Sequence, residues 1–288
     1  MKLKYLGTGA AEGWPGLFCG CENCEKVRVL GGRNIRTRSQ AVVYANEGAN
    51  DDKDNILVLD FPPDTYMHCL NHGLRLDKLA HLFITHSHHD HYAVEELFYR
   101  MKWFANKKSY PLNIYGNETV RDKYYAMLEK NNLNEEENET VYHTLKYFTP
   151  VKAGSFTVTP LAASHGTAEE NCMLYLVGNG HKTILYAHDT GLFPEATFEY
   201  LKGKRLDMIS LDCTNGGVIM GEESGHMGLH GTGETKERLE SLGCIDGTSK
   251  LVVNHFSHNG KLHYDEMVKA AKPYGFEVSY DGGVWDLT

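Results

Sequence analysis

The chain has 288 residues, of which 41% are hydrophobic, 23% charged and 11% aromatic, a composition that supports a substantial globular core. The formal net charge of −9 argues against a standing nucleic-acid footprint, which shows as a basic face. No apolar run approaches the roughly 18 residues that cross a bilayer, so no membrane association is expected. In chain order, Met1 to Leu6 reads as a short strand, without the apolar stretch of a secretion signal. Further β-rich runs follow at Ala41–Ala45, Ile56–Asp60, Leu79–Thr85, Phe156–Leu161, Cys172–Val177, Thr183–Ala187, Leu206–Leu211 and Lys250–Asn254. Helical periodicity is expected over Asp64–Asn71, Tyr92–Ala105, Val120–Lys130, Pro194–Leu201, Thr232–Leu242 and Tyr264–Ala271. The strands come in clusters, not in strict alternation with helices, which favours a mixed or two-sheet layered α/β fold. Asn46–Asn55 and Asn131–Thr140 are polar and acidic and read as exposed loops, not linkers, so residues 1–288 are expected to form a single domain.

Sixteen histidines is a high count, and their placement is informative. The run Leu82-Phe83-Ile84-Thr85-His86-Ser87-His88-His89-Asp90-His91 takes an apolar strand into a polar end. While the chain is extended, His86 and His88 project to one side and make half of a zinc-like site. As the chain turns, Asp90 and His91 can aim at a second point, so one loop can serve two metals roughly 3.5–4 Å apart. Further ligand candidates close later strands: His165, His188-Asp189-Thr190-Gly191 and His255.

His-x-His-x-Asp-His, a lone His, Asp-Thr-Gly and a late His, in that order along essentially the whole chain, resemble the metallo-β-lactamase superfamily. The resemblance implies an αββα four-layer sandwich with two mixed β-sheets and the metals at the strand ends. It assigns His86, His88 and His165 to one metal and Asp90, His91 and His255 to the other, with Asp189 bridging. Asp60 matches an aspartate that orients a ligand instead of binding metal. His89 and His188 fall outside the pattern. Zinc, manganese and iron all suit such ligands.

Seven cysteines is an odd number, and three of them crowd into Cys19-Gly20-Cys21-Glu22-Asn23-Cys24. That spacing suits a structural zinc in a reducing compartment, which favours a cytoplasmic location. A redox Cys21-x-x-Cys24 lacks the strand–helix setting of that motif. Together with Gly7-Thr8-Gly9-Ala10-Ala11-Glu12-Gly13-Trp14-Pro15, the cluster is similar to cyclic phosphodiesterases of the PhnP type. That likeness implies His258 as the fourth ligand of the structural zinc, and it also implies a homodimer.

The activity so implied is hydrolysis of a small phosphodiester, linear or cyclic, by a hydroxide bridging two divalent metals. Asp90 and His226 are the residues expected to carry catalysis, His226 by assisting the leaving oxygen, with His230 a rival for that task. The stretch from Thr214 to Ser224 is glycine-rich, departs from the family pattern and is expected to shape the pocket. Two alternatives remain: another hydrolase of this fold acting on a thioester or lactone, or a PqqB-like accessory or carrier protein with little turnover.

Overall fold

A computed structural model describes residues 1–46, 53–221 and 223–288. Most of the polar run at 46–55, and residue 222 in the glycine-rich stretch, lie outside the described residues. Fourteen strands are described. The first six are β1 (Lys2–Gly7), β2 (Gln40–Tyr44), β3 (Ile56–Leu59), β4 (His81–Phe83), β5 (Leu112–Gly116) and β6 (Thr140–Thr144). Next come β7 (Val151–Ala153), β8 (Phe156–Ala162), β9 (Met173–Gly178), β10 (Thr183–Ala187) and β11 (Met208–Asp212). The last three are β12 (Lys250–Asn254), β13 (Glu277–Val278) and β14 (Val284–Asp286). The helices are α1 (Glu22–Leu30), α2 (Thr65–His72), α3 (Glu118–Lys130), α4 (Glu135–Asn138), α5 (Glu195–Leu201), α6 (Leu229–Ser241) and α7 (Tyr264–Ala271).

The strands form two seven-stranded mixed sheets, in the orders β14-β1-β2-β3-β4-β5-β6 and β13-β12-β11-β10-β9-β8-β7. Alternation along each strand sorts side chains into layers. On β2, Ala41 and Val43 join Leu3, Tyr5, Leu57 and Phe83 in a core shared with Val158, Tyr175, Ile184 and Tyr186 of the other sheet. Val42, between them, faces the opposite way and packs with Val58, Leu82, Ile114 and the α3 residues Val120, Tyr124 and Met127. The outer face of the second sheet, through Leu185, Ile209 and Val253, is covered by Val27 of α1, Phe198 of α5, Leu239 of α6 and Met267 of α7. The layers therefore run helix, sheet, sheet, helix, as the family resemblance implies. Each fully buried leucine or valine in these seams contributes about 1.5–3 kcal/mol of transfer free energy.

Some local expectations are corrected. The segment expected to be helical at Tyr92–Ala105 is a 3-10 run, Val94–Arg100, in which only Leu97 is buried. With one buried position and Tyr99, Trp103 and Phe104 left exposed, no apolar stripe stabilises an α-helix there. Asn131–Thr140 is not all loop: Asn134 and Glu137 form a reciprocal cap that starts α4, and Thr140 opens β6. Helix α1 and strands β5, β6, β7, β13 and β14 lie outside the runs expected from the sequence. Cys21 is the N-cap of α1 and Cys24 lies in its first turn, so a helix begins within the cysteine cluster, with no strand leading into it.

Candidate metal centre

Strand direction brings the candidate residues together. Strands β3 and β4 pair in parallel, so Asp60 and His86, which follow them, emerge side by side. In the second sheet β10, β11 and β12 are parallel, and β8 and β10 each run antiparallel to β9. His165, Asp189, Asp212 and His255 therefore all lie at one end of that sheet. The two ends meet where the Met173 amide donates to the Thr85 carbonyl at 2.9 Å and the Tyr175 hydroxyl donates to the Ile84 carbonyl at 2.5 Å.

Asp60, Asp189 and His255 have φ of 67°, 55° and 65°, the left-handed region that costs a non-glycine residue of order 1 kcal/mol or more. Each lies just beyond a strand, where the turned backbone redirects the side chain into the shared space. Gly191 marks how closely loops approach there: a Cβ at that position would lie 1.9 Å from the Ser224 carbonyl oxygen.

Two groups of ligand atoms match the expected set, and a third, Asp189, Asp212, His226 and His255, overlaps the second of them. His86, His88 and His165 make one, and Asp90, His91, Asp189 and His255 make the other, with the atoms of each within 4.8 Å of one another. His86 Nε2 is 3.0 Å from His88 Nδ1, and that atom is 3.4 Å from His165 Nε2. Asp189 stands between the groups. Its Oδ2 is 2.6 Å from His91 Nε2, 3.4 Å from His86 Nε2 and 3.5 Å from His255 Nε2, and its Oδ1 is 3.8 Å from His165 Nε2. The structure thus brings together all seven residues expected from the sequence.

The charge balance fits divalent cations. Asp60, Asp90, Asp189 and Asp212 are buried or nearly so, and among the described residues their only cationic partners are histidines, with no Lys or Arg. Burial opposes charging of His91, yet Asp189, Asp60 and Asp90 outweigh it and push its pKa well above the ordinary value. Burial also works against charge on Asp90, but the adjacent His91 holds that carboxyl below the usual range. A dense buried carboxylate cluster whose imidazole nitrogens converge on shared points is a donor set suited to a binuclear site.

The far ring nitrogens are held by further groups. Asp60 accepts from His91 Nδ1 at 2.8 Å, and the Gly225 carbonyl accepts from His165 Nδ1 at 3.0 Å. Asp212 organises the opposite wall. Its carboxylate accepts the amides of Asp189, Thr214 and Met227 and sits 3.5 Å from His255 Nδ1 and 3.2 Å from His226 Nδ1. Despite its burial, the hydrogen bonds from His226 and His255 keep this carboxyl below the usual range. Sequence reasoning missed Asp212, whose only signal is a carboxylate closing an apolar strand. It also missed Glu170, which accepts the Ser87 amide at 2.6 Å and the Ser87 hydroxyl at 3.0 Å, pinning the loop between His86 and His88.

His226 lines a cavity of about 360 Å³ together with His88, Asp90, His165, Asp189 and His255. Burial opposes its charge, but the Asp212 hydrogen bond and the charges of Asp212 and Asp189 raise its pKa to about 9. Thr214 and Asn215 of the glycine-rich stretch reach the same cavity. His230 lies on α6, half exposed, with Nδ1 3.6 Å from Glu234. His89 is exposed, and His188 is buried outside both groups, 2.6 Å from Ser210 Oγ.

The second cluster also assembles. Cys19, Cys21, Cys24 and His258 present ligand atoms within 4.8 Å of one another, with His258 Nδ1 3.4 Å from Cys21 Sγ and 3.8 Å from Cys19 Sγ. A backbone hydrogen bond from Cys24, followed by the Cys19 thiol, lowers the exposed Cys21 thiol to about 6. Three thiols and one imidazole are a set that could hold a structural metal. No helix among the described residues is long and apolar enough to cross a membrane.

The family model described as a β-lactamase superfamily domain matches residues 58–275. Coenzyme PQQ synthesis protein B of Acinetobacter baumannii is 22% identical, with 98% of each chain covered. Among solved structures, a diphosphatase from the PhnP family superposes with a TM-score of 0.71 at 20% identity, covering 99% of this chain and 96% of the other. Zinc-bound PqqB from Methylobacterium extorquens superposes with a TM-score of 0.72 at 17% identity, covering 99% of this chain and 100% of the other. At these identities the structural likeness is one of fold.

Proposed function

The chain belongs to the β-lactamase superfamily, and on that premise we propose that it is a metal-dependent hydrolase of a small phosphodiester, linear or cyclic. One observation carries the reading: two ligand groups, with Asp189 standing between them, open onto the cavity that His226 also lines. Divalent cations held by His86, His88 and His165 and by Asp90, His91, Asp189 and His255 would supply Lewis acidity for activating water and for offsetting charge on phosphate oxygens.

The protein's own groups supply the rest. Asp60 turns His91 so that its Nε2 faces Asp189, and Gly225 turns His165 so that its Nε2 faces His88. Thr214 and Asp212 do the same for His255. His226, whose Nδ1 lies 3.2 Å from the Asp212 carboxylate, lines the cavity where it can give a proton to the departing oxygen. The overall charge of −9 is no obstacle, because attraction of an anion is local to the cations.

That a PhnP-family relative of this fold is called a diphosphatase supports phosphorus–oxygen chemistry. A second reading, an accessory protein with little turnover, draws on the full-length likeness to the coenzyme PQQ synthesis protein. Hydrolysis of a chromogenic bis-aryl phosphodiester by metal-loaded protein separates the two, run beside a phosphomonoester, a thioester and an Asp90→Ala control. Diester turnover that vanishes in the control is expected. A fully loaded protein that leaves the diester intact refutes the assignment, and the thioester arm then separates another hydrolase from an accessory protein.

A further inference from the structure

Glu12 lies between the two clusters and belongs to neither. It lines the cavity beside Asp90, Asp189 and His226. Its Oε1 accepts the hydroxyl of Ser257 and lies 3.4 Å from His258 Nε2. His258 Nδ1 is the nitrogen turned to the thiols. Ser257 sits two residues beyond His255, and its amide donates to the Thr214 carbonyl at 3.2 Å. The local packing is tight: a Cβ at Gly16 would lie 3.1 Å from Cys19 Cβ, 3.4 Å from Glu12 Cγ and 3.5 Å from His258 Cδ2.

We propose that Glu12 is a positioning residue that fixes His258 as a ligand of the cysteine site and makes that site part of the cavity wall. A neutral imidazole carries its proton on one nitrogen only. A carboxylate facing Nε2 draws the proton there and leaves the Nδ1 lone pair towards Cys19, Cys21 and Cys24. This is how carboxylates set the tautomer and basicity of metal-binding histidines. The same oxygen holds Ser257, so the order imposed at the thiols is passed along Ser257 to the strand end that carries His255. Glu25, in the same segment, is paired with Arg28 at 2.8 Å instead and has no such role.

The proposal rests on the reading of the cysteine cluster as a metal site, and the test separates the two. Cobalt(II) is added to metal-stripped full-length protein, and thiolate-to-metal absorption, which the His/Asp site cannot produce, reports the cysteine site alone. Retention is then measured by chelator competition. Glu12→Ala is expected to weaken retention about 10- to 100-fold, and Glu12→Gln, which keeps an acceptor but loses the charge, several-fold. Glu25→Gln is expected to match the parent. Parent-like retention in both Glu12 variants overturns the proposal while leaving the metal reading intact, and Glu12→Gln alone decides if the alanine variant does not fold. A parent that shows no thiolate absorption overturns both, whatever its turnover of diesters.

Discussion

Asp60 holds His91 by a 2.8 Å hydrogen bond to Nδ1, while its other oxygen accepts the amide and hydroxyl of Thr85, each at 2.8 Å. One buried carboxylate thus joins the end of β3 to both ends of the histidine loop. Asp60→Asn preserves the shape but removes the charge. It is expected to weaken cation retention at the His/Asp site about 10- to 100-fold, measured by chelator competition. Retention equal to the parent would show that Asp60 serves the fold alone.

His226 and His230 are distinguished by position, the first on the cavity wall and the second half exposed on α6. His226→Ala is expected to lower kcat for the diester about 10²- to 10⁴-fold with little change in KM, whereas His230→Ala leaves both near the parent values. Steady-state kinetics on metal-loaded variants checks this. A larger loss from His230→Ala would reverse the assignment.

How far the site can be read from the chain differs residue by residue. His86, His88, Asp90 and His91 are legible because a strand's alternation and the turn after it are local properties. Asp189 and His255 are recognisable as strand-closing ligands, but their left-handed backbone is not, since no glycine or asparagine announces it. Asp212 is hidden because its importance comes from lying between β10 and β12, a fact of sheet order and not of spacing. The layered architecture was legible in the clustering of strands. The short strands β5 to β7 and β13 to β14 were not, because brief pairings depend on neighbours far away in the chain.

Between the sheets, Leu57 is fully buried. Leu57→Ala is expected to destabilise the fold by about 2–5 kcal/mol through lost burial and the cavity left behind. Leu17, 65% exposed, is a control whose replacement by alanine should shift stability by no more than about 0.5 kcal/mol. Urea unfolding midpoints measure the difference.

His68 supplies a pH dependence away from the metal clusters. Burial chiefly, and nearby His72 in addition, lower its pKa from 6.5 to about 4, although Asp64 opposes this. Its Nδ1 lies 2.5 Å from Gln40 Oε1. Between those two values the unfolded chain takes up a proton that the folded chain refuses. The stabilisation is therefore present above about 6.5 and lost as pH falls towards about 4. Thermal melts of His68→Gln should show a smaller loss than the parent across that window. Parallel curves would contradict the shift.

The most direct test of the account is the cation content of fully loaded, chelator-washed protein. About three divalent cations per chain are expected, falling to about one in a His86→Ala/Asp189→Ala double variant and to about two in Cys21→Ser. A parent that holds one cation or none, or a double variant that retains all three, would contradict a binuclear site centred on Asp189.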